Sequence, residues 1–280
     1  MKKSISQWSF PGDWKIEKCI RLAKEAGFQA IELAVAEEGE ITPESNKKDI
    51  EGIKKVAGDM GIEISSLATG LFWKYSLTSS NPDTAKKAQD ILIKMLDIAS
   101  WLGTDAILVV IGTVGADFIP GCEIVPYDES YDRSMRLLKR LAGEAEKRKV
   151  TICVENVWNK FLLSPLEMKA FIDDIGSNYV QAYFDVGNVL LTGYPEHWIR
   201  ILGKRIKRVH FKDFRKSVGN INGFVDLLEG DVNWKEVMKA FKEIGYDGYA
   251  TAEMMPPYPH APEALIRNTS LAMDYILNIF

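Results

Sequence analysis

FKEIGYDGYATAEM, residues 241–254, passes from a helical pattern through a glycine into a short apolar run that ends on Glu253. The same phrasing recurs as KEAGFQAIEL at 24–33 and ASWLGTDAILV at 99–109. In each, the glycine ends a helix with a left-handed turn and a buried-strand pattern follows. Working outward, strand-like runs fall at 4–8, 30–35, 62–68, 106–112, 150–155, 180–185, 206–211 and 248–253. They are short and rich in β-branched residues, as strands buried on both faces of a parallel sheet should be. Helical patterns separate them: 13–26, a helix opened by Pro43 and closed before Gly61, 83–102, 128–149, short helices after Pro165 and near Pro195, 233–244 and 262–279. This alternation predicts a single (β/α)8 TIM barrel spanning residues 1–280. A doubly wound open sheet would want a Gly-rich phosphate turn after the first strand, which is absent.

The last four strands each carry, at or next to their final residue, a side chain that is costly to bury unless it is paired or holds a metal. These are Glu155 in TICVEN, Asp185 in YFDVGN, His210 in RVHFKD and Glu253 in YATAEM. They stand about one strand–helix unit apart, and strand ends at the carboxyl mouth of such a barrel carry its functional groups. Three carboxylates and one imidazole form an oxygen-rich set, so the expected cofactor is one divalent ion. Mn2+ is the first choice, with Mg2+, Co2+, Ni2+ or Zn2+ able to substitute. With a divalent ion the four ligands alone carry a formal charge near −1.

The runs E-N at 155–156, D-V-G-N at 185–188, H-F-K-D at 210–213 and A-E-M at 252–254 resemble the sugar isomerase/epimerase family with xylose-isomerase-like barrels. The similarity covers nearly the whole chain. It implies that Glu155, Asp185, His210 and Glu253 hold the metal and that Glu155 and Glu253 also move the proton, as in ketose 3-epimerases. It further implies a carbohydrate substrate and a homodimer or homotetramer. Some of these epimerases carry His where this chain has Asn188, so the resemblance does not extend to their particular substrate range. The chemistry suits the residues. A carboxylate on each face of a carbon beside a carbonyl can remove a proton from one side and return it from the other, while a metal stabilises the enediolate.

Further candidates for the substrate are Glu32 at the second strand end, Asn188, and Lys212 and Arg215 after the seventh. Glu32 can also bond the imidazole. Arg215 and Lys212 suit an anion, and Asp213 can orient His210 or Lys212. Trp8, Phe72, Trp73 and Trp158 stand at or past strand ends, where aromatic faces can stack on a sugar. The loop 212–229 is the longest of its kind in the second half, and its VGNINGF stretch suits closure over a ligand.

The net charge of −4 argues against nucleic acid as a partner. Apurinic-site endonucleases share the barrel but use many histidines, whereas this chain has 3. No run reaches the roughly 20 apolar residues that cross a bilayer, and no apolar leader core opens the chain, so a cytoplasmic location is expected. Cys19, Cys122 and Cys153 have no paired spacing and read as reduced thiols. Two alternatives stay open. One is a metal-dependent dehydratase of a keto-polyol or keto-acid, of inosose or dehydroshikimate type. The other is a non-catalytic sugar-binding protein.

Overall fold

The computed structural model describes residues 1–279. Eight parallel strands close into a barrel: β1 (Lys2–Ser6), β2 (Ala30–Val35), β3 (Glu63–Thr69), β4 (Ala106–Val109), β5 (Thr151–Glu155), β6 (Val180–Asp185), β7 (Ile206–Phe211) and β10 (Tyr249–Ala252). Two short strands, β8 (Asp213–Phe214) and β9 (Phe224–Val225), form a separate antiparallel hairpin over the mouth. The helices are α1 (Ile16–Glu25), α2 (Lys47–Asp59), α3 (Leu71–Lys74), α4 (Pro82–Leu102), α5 (Tyr127–Arg148), α6 (Pro165–Ile175), α7 (Pro195–Leu202), α8 (Trp234–Ile244) and α9 (Pro262–Leu277). Gly103 and Gly245 end α4 and α8 in the left-handed region, at φ 83° and 69°, where a side chain would be strained. No helix among the described residues is long and apolar enough to cross a membrane.

Several boundaries differ from the sequence reading. Pro43 does not open the second helix, which starts at Lys47 because the Asn46 side chain accepts the Asp49 amide (3.1 Å), and three others have equally local reasons. The first strand begins at Lys2, paired with Tyr249, and stops at Ser6. There the Ser6 hydroxyl accepts the Trp8 amide and closes a 3-10 turn, lifting Trp8 out of the sheet. The fourth strand stops at Val109 because the backbone beyond it bonds elsewhere. Thr113 N–H donates to the Thr78 hydroxyl (3.2 Å) and Val114 N–H to the Asn159 carbonyl (3.0 Å). Helix α1 starts at Ile16, whose amide donates to Glu40 (2.6 Å).

The outer layer packs on the strands through aromatic contacts. Phe211 of β7 lies 4.8 Å from Trp234 and 6.2 Å from Phe241 of α8, centroid to centroid. Toward the amino end of the barrel, the buried Arg208 guanidinium donates to the Ser65 carbonyl (2.7 Å) and pairs with Asp105, which also takes Lys207 at 2.6 Å. Burial pushes the Asp105 carboxyl up, but Arg208 and Lys207 outweigh it and hold it below the usual carboxylate range. A depressed folded-state pKa stabilises above the unfolded value and loses that contribution as pH falls through the folded one. Asp105→Asn should therefore destabilise the protein near neutral pH, by no more than about 1 kcal/mol because the carboxylate is half exposed and screened by solvent. Thermal melts of both proteins should converge as pH falls through the lowered folded-state pKa of Asp105; a gap unchanged across the whole acid range would rule out the ion pair as its source.

Candidate metal centre

The strand ends meet. One ligand atom from each of Glu155, Asp185, His210 and Glu253 lies within 4.8 Å of all the others, and all four residues are buried. Register explains the convergence, since Asp185 pairs directly with His210 and β6 and β7 stand between β5 and β10 in the ring. His210 is oriented from behind. Its Nε2 lies 2.9 Å from Glu32 Oε1, so Nε2–H donates to that carboxylate and Nδ1 turns to the cluster, 2.7 Å from Glu253 and 3.7 Å from Glu155. Glu32 Oε2 accepts from the Tyr183 hydroxyl (2.6 Å) and Ser66 hydroxyl (2.8 Å), which fixes the whole group.

Asp185 is set by the two asparagines of its motifs. Asn156 caps its backbone on both sides, donating to the Asp185 carbonyl and accepting its amide, each at 2.8 Å. The Asn188 amide donates to Asp185 Oδ1 (2.8 Å), and the Asn188 side chain donates to the Asn156 carbonyl (3.0 Å). This leaves Oδ2 free to face the cluster. The role of Asn156 escaped the sequence reading, although its place beside Glu155 in E-N was the available signal.

Two buried polar atoms here, Asp185 Oδ2 and His210 Nδ1, have no hydrogen-bond partner. Lys212 Nζ comes within 3.2 Å of Asp185 Oδ2 and Glu253 Oε2 within 2.7 Å of His210 Nδ1, distances without hydrogen-bond geometry in either case. Buried polar atoms are rarely left so, and two aimed at one point fit a shared cation. The donor set of carboxylate oxygens and one imidazole nitrogen is also right for a divalent ion. The group fits.

Lys212 adds a feature that spacing alone did not reveal. Its ammonium lies 2.9 Å from Glu253 and faces Asp185, so three carboxylates, this lysine and a divalent ion would together be neutral rather than near −1. Burial lowers the Lys212 pKa, but Asp185, Glu253 and Glu155 more than reverse this, so the side chain stays charged. Burial pushes the Glu155 carboxyl up to about 7, with His210 and Lys212 only partly opposing it. For Glu253 burial is outweighed by Lys212 and His210, and the carboxyl falls to about 2. Burial also pushes the thiols of Cys19 and Cys153 up to about 12, which suits inert core cysteines.

A cavity of about 600 Å³ opens above the cluster, with Glu155, Glu253 and Lys212 in its wall. Trp8, Trp73, Trp158 and Asn188 line it too, and Phe224 of the hairpin covers it. Other candidates fall elsewhere. Phe72 is core. Glu32 is fully buried behind His210, so the imidazole, not a sugar hydroxyl, is what it touches. Arg215 points outward from the hairpin, half exposed and bonded to Glu229, and it does not line the cavity. Asp213 touches neither His210 nor Lys212 side chains. It organises the loop, accepting the amides of Phe214, Leu228 and Val232 and the Trp234 indole N–H. The loop after β7 is thus a built hairpin rather than an open surface segment.

The glycine of D-V-G-N is required by close approach. A Cβ on Gly187 would lie 2.6 Å from Lys212 Cβ and 3.0 Å from its carbonyl group. Gly187→Ala should cost about 1–3 kcal/mol by overpacking and weaken divalent-ion binding by displacing Lys212 and Asp185. Calorimetry with manganese and a thermal melt measure both. Gly58→Ala is the control, since nothing lies within 4 Å of its added Cβ; it should lose neither.

The likeness to known proteins runs the length of this site. The chain is 24% identical over 260 residues to an inosose dehydratase of Clostridium perfringens (strain 13 / Type A), covering 85% of this chain and 81% of that protein. It is 23% identical over 252 residues to the L-ribulose-5-phosphate 3-epimerase UlaE of Shigella flexneri serotype 5b, covering 88% and 84%. The structure of D-psicose 3-epimerase with D-tagatose from Clostridium cellulolyticum H10 superposes with a TM-score of 0.82 at 19% identity, over 99% of each chain. The family profile described as xylose isomerase-like TIM barrel matches residues 20–273. That span takes in every strand contributing to the cluster, and the chain belongs to the xylose isomerase-like TIM barrel family.

Proposed function

We propose that this protein is a divalent-metal-dependent ketose 3-epimerase. The observation that carries the reading is the placement of Glu155 and Glu253 on β5 and β10, both open to one cavity, with Asp185 and His210 on the two strands between them. A divalent ion held by these four, manganese by the hardness of the set, would polarise a carbonyl and its neighbouring hydroxyl and stabilise the negative charge that develops. Glu253, held ionised by Lys212 and His210, removes the proton from C3. Glu155, on the far side of the cluster, delivers one to the opposite face. The reverse reaction exchanges the roles. Trp8, Trp73 and Trp158 bound the space and keep water from the reacting carbon.

The named relatives support this reading and one other. Inosose dehydratase is among them, and a dehydration begins with the same removal of a proton beside a carbonyl. Proton NMR of ketoses with protein and manganese in deuterated water distinguishes the two. Epimerisation places one deuterium at C3 in both epimers, whereas dehydration produces an unsaturated or deoxy product. Absence of exchange at C3 across the ketoses tested would sink the epimerase reading.

A further inference from the structure

A second hollow of about 460 Å³ adjoins the cavity over the cluster, with Trp158 in the wall of both. The two share Phe118, Val157, Trp158, Asn188, Ile221 and Asn222 as common walls. The first hollow alone falls in the range of roughly 300–1,000 Å³ that takes a drug-sized ligand, and a free ketohexose is smaller than that. The second hollow is therefore surplus to a simple ketose.

Its chemistry is specific. Phe161, Leu162, Val189 and Trp198 form its inner face. Leu163, Leu191 and Ile221 stand at its rim, 60%, 43% and 46% exposed. Aliphatic side chains gathered at the lip of a cavity mark a surface that something covers. Among the described residues lining the two hollows, the cationic side chains are Lys160 and Lys212. Both are engaged, Lys160 by Asp117 (2.7 Å) and Lys212 by Asp185 and Glu253. Arg215 lies outside, on Glu229. A phosphate would find no uncommitted cation, whereas a neutral ring would find aromatic faces interleaved with the amides of Asn220 and Asn222.

We propose that the substrate is a ketose bearing a second, neutral ring through an oxygen on a terminal carbon, the keto end over the cluster and the ring in the adjoining hollow. This rests on the epimerase reading. The linkage cannot be at the carbonyl carbon, because a ketal there removes the carbonyl that acidifies the C3 proton. Contacts to the remote ring supply binding energy that helps orient the reacting end.

The test compares deuterium exchange at C3 for D-fructose, for fructose glucosylated at O6 or at O1, for 6-O-benzyl-D-fructose and for D-fructose 6-phosphate. A ring-bearing ketose should exceed D-fructose by at least about ten-fold in kcat/KM, roughly the gain from 1.4 kcal/mol of added binding. The glucosyl and benzyl arms tell a second sugar from an aryl group. Leu191→Arg, at the rim and outside the reacting centre, should remove that advantage and leave D-fructose unchanged. Leu163→Arg, a second exposed rim position, should do the same and guards against a folding defect in the first. Equal rates on free and ring-bearing ketoses, a preference for the phosphate, or equal loss on all substrates in both variants would overturn the proposal. Exchange on none of them overturns the epimerase reading, and this one with it.

Discussion

Glu253→Gln and Glu155→Gln should each lower C3 exchange by about two to four orders of magnitude, the size of a lost general acid or base. The amide keeps the shape of each side chain, so packing against His210 and Lys212 survives while the proton-carrying oxygen is lost. Both residues also belong to the metal cluster, so manganese occupancy must be measured in the same samples and held near saturation. The two variants should then differ in kind. Glu253 has the Lys212 ammonium 2.9 Å away, which favours its ionised form. Its loss should abolish exchange of the substrate epimer whose proton points toward β10 before it affects the other. Glu155→Gln should show the mirror preference. Near-wild-type exchange in both variants at full occupancy would remove the two carboxylates as proton movers.

His210→Ala should abolish tight manganese binding, and Glu32→Ala should weaken it by about 10–100-fold although Glu32 never reaches the cavity. The argument runs through the imidazole. Glu32 takes the Nε2 proton at 2.9 Å and leaves Nδ1 as the lone-pair donor facing Glu253, Glu155 and Asp185. Without Glu32 the ring can rotate or take the other tautomer. The thermal shift reads binding without any assay of turnover, because an ion at about 100 times its Kd stabilises the folded state by roughly 2.7 kcal/mol. Manganese should raise the Tm of the unaltered protein, raise it less in Glu32→Ala, and leave His210→Ala unmoved. A full shift in His210→Ala would put the ion somewhere other than this cluster.

The alternation of strand and helix was legible because a parallel barrel writes each unit in the same order: apolar run, polar end, helix, glycine. The meeting of four strand ends followed from that order and from the adjacency of β5, β6, β7 and β10 in the closed ring. What stayed hidden depended on side-chain direction. HFKDFRK reads as a basic approach to the mouth, yet β8 turns Phe214 inward and Arg215, just past it, is exposed, its amide bonded to the Gly223 carbonyl at 2.8 Å. Two-residue strands carry too little pattern to announce themselves. The burial of Glu32 was equally unreadable, because it depends on the Tyr183 hydroxyl from a strand 151 residues away.

That last arrangement ties the two halves of the chain together. All four members of the cluster lie after residue 150, but the carboxylate that aligns His210 comes from β2, and the Tyr183 hydroxyl that steadies it meets Ser66 of β3 across the barrel axis. A fragment of residues 150–280 would own every ligand and still lack its alignment. Such a fragment should take up manganese weakly and regain tight binding when mixed with residues 1–149. During refolding, the ion would then act as a clock for ring closure, captured late, at the moment the first strands arrive rather than when the ligand-bearing strands assemble.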